Sequence, residues 1–195
     1  MKRFLALLTM LVLILPLTAT ASTWTLDPDH STVQFKVKHL MINNVKGVFE
    51  KVSGTLNLDD KDITKSKVDV KIDTASVNTH IKKRDDHLRS ADFFDAAKFP
   101  AMAFTSTKVE KVGTDKLKIA GNLTIKGVTR PVILDVEGFS TEVKDPWGNI
   151  RRGAEATTQV NRKDFGVNWS KTMDNGGMVV AEDVAITLEV EFIKK

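Results

Sequence analysis

Apolar and polar residues alternate with a period of two over most of this chain. Val33, Phe35, Val37 and His39 alternate with Thr32, Gln34, Lys36 and Lys38. Val52, Gly54, Leu56 and Leu58 follow the turn-like Asn43-Asn44, and Val68, Val70 and Ile72 alternate with Asp69, Lys71 and Asp73. Leu117, Ile119, Gly121, Leu123 and Ile125 form the cleanest run; Val132, Leu134 and Val136 come next. Val184, Ile186, Leu188, Val190 and Phe192 close the chain. Successive strand side chains point to opposite faces, so each run predicts a strand with one dry face and one wet face. The pattern predicts about eight strands, over residues 32–39, 45–58, 66–73, 101–112, 116–126, 131–142, 152–164 and 183–193.

Asp59-Asp60-Lys61, Gly113-Thr114-Asp115 and Asp145-Pro146-Trp147-Gly148 supply turn chemistry between the runs. Short links imply antiparallel neighbours. Such strands close into a barrel, which removes exposed edges, or pack as a two-sheet sandwich, and periodicity fits both. Gly54 and Gly121 fall on apolar faces, where a barrel needs bends or bulges. A barrel of this size is filled by its own side chains or holds one small ligand, and the alternation is the same for both.

The alternation breaks once at length, between Asn78 and Thr107. Asn78 or Thr79 is positioned to cap a helix running to about Ser90. On that helix His80, Arg84 and His87 share a face, with Ile81 and Leu88 on an adjacent stripe. A polar cationic edge beside an apolar edge suits the rim of an apolar cavity; the plain alternative is a surface helix with solvated charges. His80 and His87 are not a metal pair, because seven residues rise about 10.5 Å along a helix. No metal is expected there.

The first residues have the order of a secretory signal peptide. Lys2 and Arg3 precede an apolar run from Phe4 to Leu17, and Ala19-Thr20-Ala21 is a small-x-small cleavage pattern. The run falls short of the ~20 residues that span a bilayer. Residues 1–21 are therefore read as the signal and 22–195 as one domain, with a periplasmic or secreted address. The formal charge of +4 falls to +2 when Lys2 and Arg3 leave, and both signs are mixed along the chain. That distribution gives no basic stripe for nucleic acid. The chain has no cysteine. Thiol catalysis, thiolate metal sites and disulfides are thus excluded.

Chemical candidates outside the break are few. Asp27, Asp29, His30 and Ser31 invite a hydrolase reading built on His30, but no G-x-S-x-G elbow accompanies them, and a turn in which Asp29 or Ser31 bonds backbone is the plainer reading. His39 ends a strand on its apolar side, as a core histidine or a ligand to something in a cavity. Arg162 and Asp164 share a face by alternation, as a phosphate- or carbonyl-binding fork or an ion pair. Trp147 and Trp169 lie in turn-rich segments, at a rim or in plain packing.

Together these segments resemble the YceI family of lipocalin-like proteins. The likeness is carried by LDPDHSTVQFKVKH (Leu26 to His39), GVF and GTL between Gly47 and Leu56, and RDDHLRSADFFDAAKFPAMAFTST (Arg84 to Thr107). GNLTIKGVTRPV (Gly121 to Val132) and NRKDFG (Asn161 to Gly166) complete it, while Lys38 and Val52 stand where the pattern often has Arg and an aromatic. The resemblance implies an all-β, eight-stranded antiparallel lipocalin-like barrel with a short helical insertion near residues 79–95. It implies a binding protein for a long-chain isoprenoid lipid, such as a quinone tail or polyprenyl phosphate, with no catalytic residue and no cofactor. It places His30, His39, Arg84, His87 and Arg162 near the lipid head. A homodimer is compatible with it. The alternatives are a secreted hydrolase using His30 with a nearby Ser or Asp, and a filled barrel acting as a protein-interaction module.

Overall fold

The computed structural model describes residues 21–174 and 176–195. The leader assigned above to residues 1–21 lies outside the described residues except for Ala21, which opens the first strand. The strands are β1 (Ala21–Leu26), β2 (Thr32–His39), β3 (Asn43–Phe49), β4 (Val52–Asp59), β5 (Lys67–Asp73), β6 (Val77–Asn78), β7 (Ala101–Lys111), β8 (Lys116–Ile125), β9 (Val128–Glu137), β10 (Val143–Lys144), β11 (Ile150–Asn161) and β12 (Val180–Lys194). One α-helix, α1 (Lys82–Arg89), stands among them.

All pairings are antiparallel and mostly join sequence neighbours. β1 and β2 follow each other along β12, and β4 and β3 follow each other along them. β5 and β6 continue the ring, then β7, β8, β9 and β11. β11 then pairs with β12 from Arg151↔Ile193 to Asn161↔Asp183. This last pairing closes an eight-stranded barrel, so the sandwich alternative is excluded. The short β10 lies on β11 outside the ring.

The barrel has two ends. One gathers the β2–β3 turn, the 79–100 insertion, the β8–β9 turn and the segment between β11 and β12. The other gathers the β4–β5, β7–β8 and β9–β11 connections. Inward positions supply the core: Val33, Leu56, Ile72, Phe104, Leu123, Val136 and Phe192 are all buried. Each fully buried side chain of this kind contributes about 1.5–3 kcal/mol. Gly121 sits inward at the bulge between Ser106 and Lys108. A Cβ there would lie 2.7 Å from the Thr105 carbonyl oxygen and overlap the Phe104 ring, so the close approach requires glycine.

Several expected boundaries differ from the observed ones. The single 45–58 strand is two, β3 and β4, broken at Glu50-Lys51. The turn expected at Asn43-Asn44 lies at Leu40-Met41, both with positive φ, and the two asparagines pair within β3. β1 was not expected at all; six residues with two inward apolar side chains, Trp24 and Leu26, give too short an alternation. The 152–164 strand ends at Asn161, and Arg162–Phe165 form a 3-10 turn. Arg162 and Asp164 therefore do not share a strand face.

The helix starts later than its sequence suggests. Its N-terminal flank is Ile81, without a side-chain capping bond, and His80 precedes it with φ +61°. The Asn78 side chain accepts the His80 N–H instead, forming an Asx turn. His80 therefore does not share a helix face with Arg84 and His87. Ile81 is 51% exposed, so the expected Ile81–Leu88 stripe is not a packed one.

Candidate functional site

The barrel interior holds an apolar cavity of about 410 Å³. Room for it comes from β11, whose inward positions include the small residues Ala154, Ala156 and Thr158, opposite large residues elsewhere. The walls include Phe35, Val70, Phe104, Ile119, Leu134, Ala156 and Leu188. Among the described lining residues there is no Asp or Glu; the ionisable ones are Lys38, His39, Lys67, Arg84, His87 and Arg162. All but Lys67 belong to the end that carries the insertion, so the mouth is cationic and imidazole-rich.

Local chemistry holds that mouth together. Asp85, buried on the inner side of α1, accepts the Thr79 backbone N–H at 2.8 Å and the Thr79 hydroxyl at 2.5 Å. Arg84 donates from Nε to Thr79 Oγ1 at 2.7 Å and from Nη2 to the Thr79 carbonyl at 2.9 Å. Thr79 thus anchors the helix start and aims Arg84 along the cavity edge. Arg162 is buried and donates to the carbonyls of Ala181, Val167 and Val180. Burial lowers its pKa, partly offset by Glu182. Both arginines bond neutral acceptors, so neither charge is directly paired with a carboxylate.

His87 hydrogen-bonds Asp92 at 3.0 Å and meets Phe93 and Trp169 edge-on, with ring centroids at 4.9 and 5.2 Å. Phe93 and Trp169 are themselves 5.2 Å apart. Phe49 lies between Phe35 and Phe94 at 5.8 and 5.7 Å. Phe93-Phe94 and Trp169 are mouth residues that strand periodicity did not single out. The phenylalanines are signalled only as an adjacent pair in a segment that is otherwise not β-like, whereas Trp169 takes the rim place that its turn-rich segment leaves open beside plain packing. Trp147 is 83% exposed at the far end and takes no part in the mouth.

The far end is packed differently. The Arg152 guanidinium lies 5.5 Å from the Trp24 ring and 5.2 Å from the Phe139 ring, and donates to the Ser140 carbonyl. An arginine between two aromatic faces is a stable plug in a poorly hydrated site. Its neighbour Arg151 points outward by strand alternation.

His30 is not among the cavity-lining residues. Its Nδ1 lies 2.9 Å from Asp27 Oδ2 in an outer cluster, with the ring largely in solvent. Arg151 Nη1 contacts Asp27 at 2.6 Å and Glu191 at 2.5 Å, while its Nε contacts Asp145 at 2.7 Å. Asp27, His30 and Glu191 could in distance terms hold a cation, with donor atoms within 4.8 Å of one another. The Arg151 guanidinium already occupies that charge balance. Ser31 exchanges its hydrogen bonds with the Glu191 backbone and offers no hydroxyl to His30.

This cluster gives a pH prediction. The Arg151 hydrogen bond holds the Asp27 carboxyl down to about 2, against burial and with help from His30. Burial raises the Asp145 carboxyl, but hydrogen bonds from Arg151 and Asn149 outweigh it and keep it well below the usual range. Carboxyls depressed in the fold stabilise it above their ordinary pKa near 3.9 and lose that contribution as pH falls through the folded value. His30 has the opposite sign: Asp27 raises its pKa, so its contribution is present below about 6.5 and fades as pH rises through the folded value. In Arg151→Met the acid-unfolding midpoint, followed by circular dichroism, should move up towards pH 4; an unchanged midpoint would show that the cluster is not coupled to folding.

No helix among the described residues is long and apolar enough to cross a membrane. A membrane-spanning barrel is apolar outside and polar inside. Here the faces are reversed, with exposed Lys36, Lys71 and Asp135 outside and the apolar rows within.

Relatives share this architecture along nearly the whole chain. The protein named YceI from Salmonella newport is 40% identical over 179 residues, covering 91% of this chain and 90% of its own. The crystal structure of Burkholderia cenocepacia BcnA superposes with a TM-score of 0.74 at 25% identity, over 85% of this chain and 98% of that one. A Saccharophagus degradans domain described as polyisoprenoid-binding and implicated in plant cell wall breakdown has the same fold, with a TM-score of 0.64 at 17% identity over 90% and 100% of the two chains. Residues 24–192, from the buried Trp24 of β1 to the buried Phe192 of β12, match the YceI-like domain, and the chain belongs to the YceI family.

Proposed function

We propose that this protein is a carrier that holds a long-chain isoprenoid lipid, of the quinone-tail or polyprenyl phosphate type, with its tail in the barrel and its head at the mouth. The observation that carries this reading is a deep apolar cavity whose described lining residues include Lys38, His39, Arg84, His87 and Arg162 at the mouth and no Asp or Glu. Its volume, about 410 Å³, falls within the range usual for small-molecule sites. A related fold described as polyisoprenoid-binding supports the ligand class. A tail burying twenty carbons gains roughly 16 kcal/mol gross at about 0.8 kcal/mol per CH₂. That approaches the practical affinity ceiling, and ordering and desolvation costs reduce it. The tail therefore supplies affinity, while His39, Arg84, His87 and Arg162 select the head. His30, outside the cavity, is not assigned to head binding.

A binding role rather than catalysis is favoured by the site itself: among the described residues, neither the cavity wall nor the His30 cluster pairs a Ser or Thr hydroxyl with a histidine. Transport, storage or sequestration in the periplasm, after removal of residues 1–21, fits the leader pattern. Native mass spectrometry with organic extraction of protein purified from its own host should find an isoprenoid adduct. Protein that is empty and refuses both quinones and polyprenyl phosphates would overturn the proposal.

Arg84→Ala should weaken an acidic or quinone-headed ligand roughly tenfold to a hundredfold, the loss of one charge-assisted hydrogen bond at about 1.5–3 kcal/mol. A plain hydrocarbon of equal length should bind nearly as before. Titration with both ligands decides: equal losses would mean that Arg84 serves Thr79 and the fold instead.

A further inference from the structure

The β2–β3 hairpin breaks two local rules at the cavity mouth. Its turn, His39-Leu40-Met41-Ile42, is closed by an Ile42 N–H to His39 carbonyl bond of 3.1 Å. Leu40 and Met41 have φ of +49° and +60°. Two successive left-handed residues in a hairpin turn favour Asn and Gly, and large side chains are disfavoured there. Here the turn carries Leu and Met, followed by Ile. Met41 is 51% exposed and Ile42 80% exposed. The second rule concerns charge. Lys36 and Lys46 are directly opposed across β2 and β3, both exposed. Like charges in that position are destabilising. Lys38, opposite Asn44, is two pairs further towards the tip on the same face, and residues 32–49 contain no acidic side chain.

Residues that cost the fold something locally, yet share one edge, point to a function. An apolar tip backed by exposed lysines matches the chemistry of an anionic bilayer, in which apolar groups enter the interface and cations remain at the headgroups. Ile81, 51% exposed, lies at the same end and is followed by Lys82, which pairs with Asp86 at 2.6 Å, and by Lys83. Lys38 and His39 also line the cavity, so the hairpin is continuous with the route into the barrel. The opposite end differs. Trp147 and Val143 are exposed there too, but the charges beside them are of both signs and paired, Glu142 with Lys194 and Asp145 with Arg151, so no row of lysines backs them.

We infer that the β2–β3 hairpin docks the cavity mouth onto an anionic phospholipid surface, with Met41 and Ile42 inserted and Lys36, Lys38 and Lys46 on the headgroups. An apolar tail then passes between bilayer and barrel without crossing bulk water. The purpose of docking rests on the lipid-carrier reading, but docking itself needs no bound ligand.

The test is co-sedimentation of residues 22–195, the chain left after removal of the apolar leader, with vesicles of phosphatidylglycerol or of phosphatidylcholine alone. The expected result is binding to the anionic vesicles at low salt and release at about 0.5 M salt, where the Debye length falls to a few ångströms. Lys36→Gln combined with Lys46→Gln should weaken binding about 25-fold, at roughly fivefold per lysine. Ile42→Ser should weaken it about tenfold or more. Trp147→Ser should bind as the parent does. Ala156→Phe, which fills the cavity, should lose isoprenoid ligand but keep docking. Protein that stays in the supernatant with anionic vesicles overturns the inference. So does equal binding to neutral vesicles, or a Trp147→Ser loss matching that of Ile42→Ser. Loss of docking in Ala156→Phe would also overturn it, because tail capture and not the hairpin would then account for the binding.

Discussion

Ala156→Phe should abolish measurable binding of a long-chain lipid while leaving the barrel folded. Ala156 is buried on the inner face of β11, paired with Leu188 of β12, and borders the cavity. A phenyl ring at this position enters space that a tail would fill. Displacing about six tail carbons at about 0.8 kcal/mol each removes roughly 5 kcal/mol of transfer energy, or about three orders of magnitude in affinity. A cavity of about 410 Å³ has room for the ring, so strain on neighbouring side chains stays small. Ligand titration together with a thermal melt tests this. An unchanged affinity would mean that the tail lies elsewhere; a collapsed melting transition would mean that the volume belongs to the fold.

Trp24→Ala should be the most damaging single change to stability, at about 3–5 kcal/mol. Trp24 is fully buried in β1, donates its indole N–H to Ser22 at 2.9 Å, and carries Arg152 on one ring face. Its loss opens a void at the far end and leaves the guanidinium stacked only on Phe139. Arg152 Nε is buried without a hydrogen-bond partner, so it depends on those rings more than most arginines do. Against a total stability of about 5–15 kcal/mol, the loss would bring the denaturant midpoint down sharply at constant m-value. A loss below about 1 kcal/mol would show that the plug is not structural.

The strands were legible because alternation is a backbone property: a half-buried strand must show one apolar face. The run Leu117 to Ile125 is β8 almost residue for residue. The insertion was legible as a break, and Arg84 and His87 do reach the cavity edge. His80 was misplaced because Asn78 and Thr79 both suit a helix start, and which of them acts as a cap is not set by residue type: Asn78 forms an Asx turn and Thr79 bonds Asp85. Arg162 read as a strand residue because alternation does not register where a 3-10 turn starts. The unequal fates of Arg151 and Arg152 were readable in principle, since adjacent strand residues face opposite ways. Which side was inward depended on the register with β12.

From its sequence alone this protein is a chain of one-faced strands with a dry interior, a charged exterior and one cationic interruption, and the order of its segments carries its family. Period-two patterning reports which face a side chain occupies, and nothing more. Closure through β11 and β12, the bend that joins β1 to β2, and the placement of His30 outside the cavity were decided by strand pairing over long sequence separations. The cavity was decided there too. Ala154, Ala156 and Thr158 alternate as well as larger residues would, and only the closed ring sets their missing volume opposite the other walls.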